Sequence, residues 1–235
     1  DAVGSISIVG STNAVAAITL ADVTSTTAGI EALSTGSLAA NGNVSGAGNI
    51  LLQSDNAGDV DLNGLVQTTA GSVSVLAAGG VDMFGASGVT TAGGSVDIDA
   101  GTSVFMADGA SVASGGGNIL VVAGTDAILG GLDAGAGQVQ VQAGGDIVDG
   151  GDTDPDVIAS TASFIAGDGA GGSGPNGLLE TITGTVAAQA GAGGIFLDNT
   201  GAVDINAAAA FSVNRVGAGG ATTPESSQAI AGLIT

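Results

Sequence analysis

Gly71-Ser72-Val73-Ser74-Val75-Leu76-Ala77-Ala78-Gly79-Gly80-Val81-Asp82-Met83 reads as two short strands joined at a small-residue corner, and its pattern returns from Gly94 to Met106. Each copy opens Gly-polar-apolar-x-apolar, the period-2 alternation of a half-buried strand. The same opening recurs as Gly48-Asn49-Ile50-Leu51-Leu52-Gln53, Gly117-Asn118-Ile119-Leu120-Val121-Val122 and Gly137-Gln138-Val139-Gln140-Val141-Gln142. The five starts therefore lie 23, 23, 23 and 20 residues apart. A second strand comes next in frame: Val60-Asp61-Leu62, Val81-Asp82-Met83, Val104-Phe105-Met106, Ala127-Ile128-Leu129, Ile147-Val148. A weaker third one contains Val66, Val89, Val112 and Leu132, with Val157 as the next candidate. Corners such as Gly79-Gly80, Gly101, Gly124 and Gly144-Gly145 are expected to turn through positive φ.

A repeat this short, with no helix signal, has few architectural solutions. A propeller blade needs about 40 residues, and a leucine-rich repeat carries fixed Leu and Asn positions. A β-sandwich has no reason to hold a 23-residue register. What remains is an all-β fold, a parallel β-helix (β-solenoid) of roughly 20–23 residues per coil, in which strand stacks on like strand at about 4.8 Å. Ile50, Val73, Val96, Ile119 and Val139 form one inward ladder, and Leu52, Val75, Ile98, Val121 and Val141 another. Outside residues 45–150 the frame loosens. Ile6, Ile30 and Ile50 extend it upstream; Ala162–Ile165, 184–186, 194–197 and 202–205 extend it downstream. Residues 167–177, rich in Gly, read as a protruding loop. The expectation is a single solenoid over 1–235, with regular coils over about 45–150, irregular ones over 151–235, and about ten coils in a rod roughly 50 Å long.

Composition agrees. Hydrophobic residues are 44% of the 235, against 10% charged, the reverse of a disordered chain. There is no Trp or Tyr and only five Phe, so the core must be thin and aliphatic. The charge is −21, from 19 Asp and three Glu against the single cation Arg215. Asp favours turns and caps over helices. A surface of this sign repels nucleic acid and anionic membranes and attracts cations. No apolar run approaches the ~20 residues of a membrane helix. Zero Cys agrees with an extracellular setting. Asp1 opens almost directly onto the alternating Ser5-Ile6-Ser7-Ile8, which reads as a processed product or an excerpt of a longer polypeptide.

The units Gly71–Met83 and Gly94–Met106 resemble the repeats of filamentous haemagglutinin-type adhesins, the large exoproteins of bacterial two-partner secretion and autotransporter systems. The resemblance covers most of residues 45–150 and implies a right-handed β-helix at the cell surface, in the role of a shaft segment. The secretion-domain motif of such exoproteins is not found in this sequence.

The sharpest motif for chemistry is Asp149-Gly-Gly-Asp152-Thr-Asp154-Pro-Asp156. Alternate carboxylates in a Gly-containing loop suit calcium, a hard cation that takes six to eight oxygens. An EF-hand would need Gly and an acid where Val157 and Ser163 stand, so the choice is a non-EF calcium site or a solvated turn. Asp61 with Asp82, and Asp126 with Asp146, are expected to stack as like charges on outer faces. Asp97 matches the outward Ser74 and reads as a polar face; Arg215 is expected to pair with a nearby Asp. Residues 169–174 lack the Lys and the helix of a phosphate loop. With no His, Cys, Tyr or Lys, the chain lacks most nucleophiles and general bases, and no enzyme activity is expected.

Three roles are compatible with these residues: a shaft segment of a secreted bacterial surface protein, a head-to-tail extracellular filament, or a calcium- or glycan-binding matrix module. The partners expected are continuing coils or a second copy at the open ends, and host or matrix glycans or proteins. No cofactor is required, calcium at the acidic loop being the one candidate. The apolar run Ala229–Ile234 reads as an uncapped edge.

Overall fold

A computed structural model describes residues 6–10, 17–151, 154–174 and 177–235. The chain is a parallel β-solenoid whose coils each carry up to three strands on three faces. On the first face the rungs run Ile6, Ile30, Ile50, Val73, Val96, Ile119, Val139, Ala162, Val186 and Ile205, every neighbouring pair parallel and in register. The second face stacks Leu38, Val60, Val81, Val104, Ala127 and Ile147. The third stacks Val44, Val66, Val89, Val112, Leu132 and Val157. Among the described residues no helix is long and apolar enough to cross a membrane.

Stacking identical side chains is what gives this thin core its cohesion. Val73, Val75, Val96, Ile98, Ile119 and Val121 are fully buried, as are Met83 and Met106 on the second face. Each such side chain contributes about 1.5–3 kcal/mol by leaving water. β-Branched residues suit the ladder because their χ1 is already restricted.

The small-residue corners work differently from the expectation. The corner glycines 79, 80, 101, 124, 144 and 145 are not among those with positive φ. All but Gly80 are required by contact between coils. A Cβ on Gly101 would lie 2.3 Å from the Ala78 carbonyl oxygen, and one on Gly94, which opens a repeat, 1.7 Å from that of Gly71. Backbone rests on backbone here, so the side chain must vanish.

Two further expectations are corrected downstream. Residues 167–170, taken as part of a protruding loop, lie in the stack: Gly169–Ala170 pairs with Ile147 before it and Gly194–Ile195 after it, and Ala170 is fully buried. Residues 175–176 of that stretch lie outside the described residues. Nor do the last thirty residues add coils. The stack reaches Asp204–Ile205, and the chain then turns back along the first face.

In this lower part, Val157–Ala166 and Leu179–Gln189 each pass from the third face into the first face of the next coil as one unbroken strand. They thereby join two ladders into a single sheet.

Candidate functional site

The returning segment is a strap. Ser212–Val216 and Thr222–Ser226 form an antiparallel hairpin, reversed at Ala218–Gly220, where Gly219 and Gly220 both adopt positive φ that a side chain would strain. Its root is a second antiparallel pair, Ala207–Ala208 with Ile230–Ala231. The tail then returns to the stack, Leu233 and Ile234 pairing with Ala188 and Gln189. Of the Ala229–Ile234 run, Ile230–Ala231 thus pairs with the strap's own root and Leu233–Ile234 with the coil, on one side only.

The strap lies across the outward side chains of the first face, which explains a burial pattern that strand alternation forbids. The outward residues Leu51, Ser74, Asp97, Leu120 and Gln140 are all buried. Ser74, Asp97, Leu120 and Gln140 meet strap atoms suited to them. Leu120 packs against Phe211 and Val213. Ser74 Oγ accepts the Val216 N–H at 2.8 Å, and Ser95 Oγ accepts that of Asn214 at 2.7 Å. Gln140 exchanges two bonds with the Gln228 backbone, at 2.7 and 2.8 Å. At the far end Asn49 donates to the Gly220 carbonyl at 2.9 Å, and the Gly219 N–H donates to Glu31. Two strap residues advance ~6.6 Å while one coil advances ~4.8 Å, so the strap crosses the ladder obliquely.

Arg215 is the centre of this contact. Its Nε donates to Asp97 Oδ2 at 2.7 Å and its terminal nitrogen to Asp97 Oδ1 at 3.2 Å and Asp99 Oδ2 at 2.7 Å; Glu225 lies 3.8 Å away. The expected pairing with a nearby Asp is therefore met, by two. Asp97, read as an exposed polar face, is instead fully buried. Burial pushes its carboxyl up from the ordinary value, and the Arg215 hydrogen bond offsets that only in part. The bond to Asp97 raises the Arg215 pKa further, and the guanidinium stays charged.

The abundance of Asp over Glu has a structural cause visible at the corners. Asp59, Asp126, Asp146 and Asp168 each accept, through Oδ1, a backbone N–H of the following coil at 2.8–2.9 Å, from Gly80, Asp146, Gly169 and Gly193. Asn43, Asn49 and Asn118 do the same for Leu65, Ser72 and Gln138. The reach fits a side chain with one methylene. Asp126 and Asp146 are thus links between coils, whereas Asp61 and Asp82 are in-register neighbours on the second face. Burial first, then neighbouring acids (Asp59 for both, and Asp61 for Asp82), push the carboxyls of Asp61 and Asp82 up.

Of the four acids singled out as calcium ligands, two converge. Asp149 ends the second-face strand Ile147–Asp149, and Asp156 immediately precedes Val157 on the third face. Both are buried, and both meet Glu180 of the next coil: one ligand oxygen from each of the three lies within 4.8 Å of the others. Asp149 Oδ1 accepts the Gly151 N–H at 2.9 Å; its Oδ2 is buried with no hydrogen-bond partner among the described residues. Asp156 Oδ2 accepts the Glu180 N–H at 2.9 Å. Asp154 is exposed and, with Asp108 and Ser111, lines a shallow depression beside the loop. Asp152 lies outside the described residues. Glu180 escaped the sequence reading, although its signal was present: Val157 pairs with Thr181, which puts the residue before each side by side.

Comparison of the chain with protein-family models, with curated proteins and with solved structures returns no match.

Proposed function

We propose that this chain is a non-enzymatic extracellular module, the rod-like shaft of a secreted bacterial surface protein of the filamentous haemagglutinin-type adhesin kind. The observation that supports this reading is the unbroken first-face ladder from Ile6 to Ile205, tied lengthwise by the strap. A ladder whose hydrogen bonds run along the axis resists bending and stretching, which is the duty of a spacer. Near absence of Lys and Arg and a charge of −21 keep such a rod soluble and away from nucleic acid and anionic lipid. Attachment to host or matrix glycans or proteins belongs, on this reading, to surfaces the rod carries.

A second reading, a head-to-tail filament, draws on the last coil. Ile205 is 63% exposed there, and Leu233 and Ile234 are also exposed, an apolar end that a continuing coil or a second copy would cover.

Electron microscopy and sedimentation of the pure chain separate the two. The shaft reading expects single rods roughly 40 Å long that stay monomeric as concentration rises. Continuous fibres from the pure chain would replace it with the filament.

A further inference from the structure

We propose that Asp149, Asp156 and Glu180 form a calcium site that pins two successive coils together between their second and third faces. The proposal goes beyond the shaft reading and does not depend on it.

Three carboxylates from three strand ends meet in one place, two of them on buried residues. Asp149, one of the three, is only 5% exposed, and its Oδ2 is buried with no hydrogen-bond partner among the described residues. Arg215, the sole side-chain cation of the chain, is committed to Asp97 and Asp99 on the first face. A buried carboxylate oxygen left without a donor is destabilising, and neighbouring like charges add to that. A cation removes both costs at once.

The donor set indicates the class of cation. Carboxylate oxygens suit a hard cation, and those on one calcium, at 2.3–2.6 Å from it, stand at most about 4.6–5.2 Å apart. A group whose oxygens all lie within 4.8 Å of one another fits inside a calcium shell. Backbone and water oxygens complete the shell, as calcium tolerates and magnesium does less readily. Asp149 ends a second-face strand and Asp156 precedes a third-face strand, and Glu180 sits one coil further on, next to Thr181, the rung partner of Val157. The ion would therefore tie both strands to the coil beneath.

The test is calcium titration calorimetry on the full chain at physiological salt, about 0.15 M, where diffuse attraction to exposed acids is screened. It is paired with thermal melts in calcium and in EGTA. The expected result is one saturable ion per chain, with a dissociation constant of about 10⁻⁴–10⁻³ M. At ten to a hundred times that concentration the melting temperature rises by about 3–10 °C. Asp149→Asn keeps the acceptor for the Gly151 N–H, so it should fold. In EGTA it should melt at or above the parent, and in calcium below it. Glu180→Gln should also abolish the saturable binding, while Asp154→Asn and Asp126→Asn should leave it intact. Absence of a saturable site, or undiminished binding in both Asp149→Asn and Glu180→Gln, would overturn the site.

Discussion

The inside and the outside of the first face obey different rules. Inside, Ile50, Val73, Val96, Ile119 and Val139 repeat because each one's neighbour is the same position of the next coil. Outside, Leu51, Ser74, Asp97, Leu120 and Gln140 share the same rungs, yet no two neighbours match. Ser74, Asp97, Leu120 and Gln140 find partners in the strap, a segment that is not itself a repeat. A ladder is thus legible where the chain packs on copies of itself and illegible where it packs on something used once.

This contrast can be broken from either side, and the core side should give the larger effect. Ile98→Ala removes a fully buried rung between Val75 and Val121. It should cost about 2–5 kcal/mol, read by urea melts as one lowered transition for the whole stack. Arg215→Met leaves Asp97 buried without its partner. Because Arg215 is itself 26% exposed, the loss should be smaller, about 1–3 kcal/mol. Hydrogen exchange should show it first in the strap amides of Asn214 and Val216. Adding Asp97→Ser, the residue type found at Ser74, should restore most of the loss. A double variant no better than Arg215→Met alone would mean that the strap is held by something else.

The smallest effect concerns the second face, where no strap intervenes. Asp61 and Asp82 are neighbouring rungs with carboxyls pushed above the ordinary 3.8 by burial and by nearby acids. A carboxyl raised on folding adds stability that is full below its unfolded value and lost as pH rises through the folded one. Melting temperature should therefore climb as pH falls from 7 towards about 4, with Asp97 contributing in the same direction. Asp82→Asn should raise the melting temperature at pH 7 by roughly a degree and flatten that climb. An unchanged slope in the variant would place the pH dependence elsewhere.

The legible part of the fold was the register. Spacing alone pairs Val73 with Val96 and Val157 with Leu132, and the structure has both. The strap was hidden because Ser212–Val216 and Thr222–Ser226 pair with each other, antiparallel, and read as two ordinary short strands. A trace of it existed in Ile50-Leu51-Leu52 and Ile119-Leu120-Val121, unbroken apolar runs that signal a strand buried on both sides. The corner glycines misled for a related reason. Gly at a bend suggests positive φ, whereas at Gly101 the constraint is the carbonyl of the coil above, invisible until coils are stacked. At the acidic cluster, Asp149 and Asp156 were found through a local motif. Glu180 required the 24-residue offset of a coil longer than the regular ones.

Everything depends on successive coils lying in register along one axis, and nitroxide labels on the first face measure that directly. Gln53, Leu76, Asp99, Val122, Gln142, Ile165 and Gln189 are consecutive rungs, and the chain has no native Cys to interfere. With ~4.8 Å per coil, dipolar spectroscopy should place labels at Gln53 and Gln142 about 19 Å apart, and at Gln53 and Gln189 about 29 Å apart. Two separations that are equal, or reversed in order, would contradict the stack.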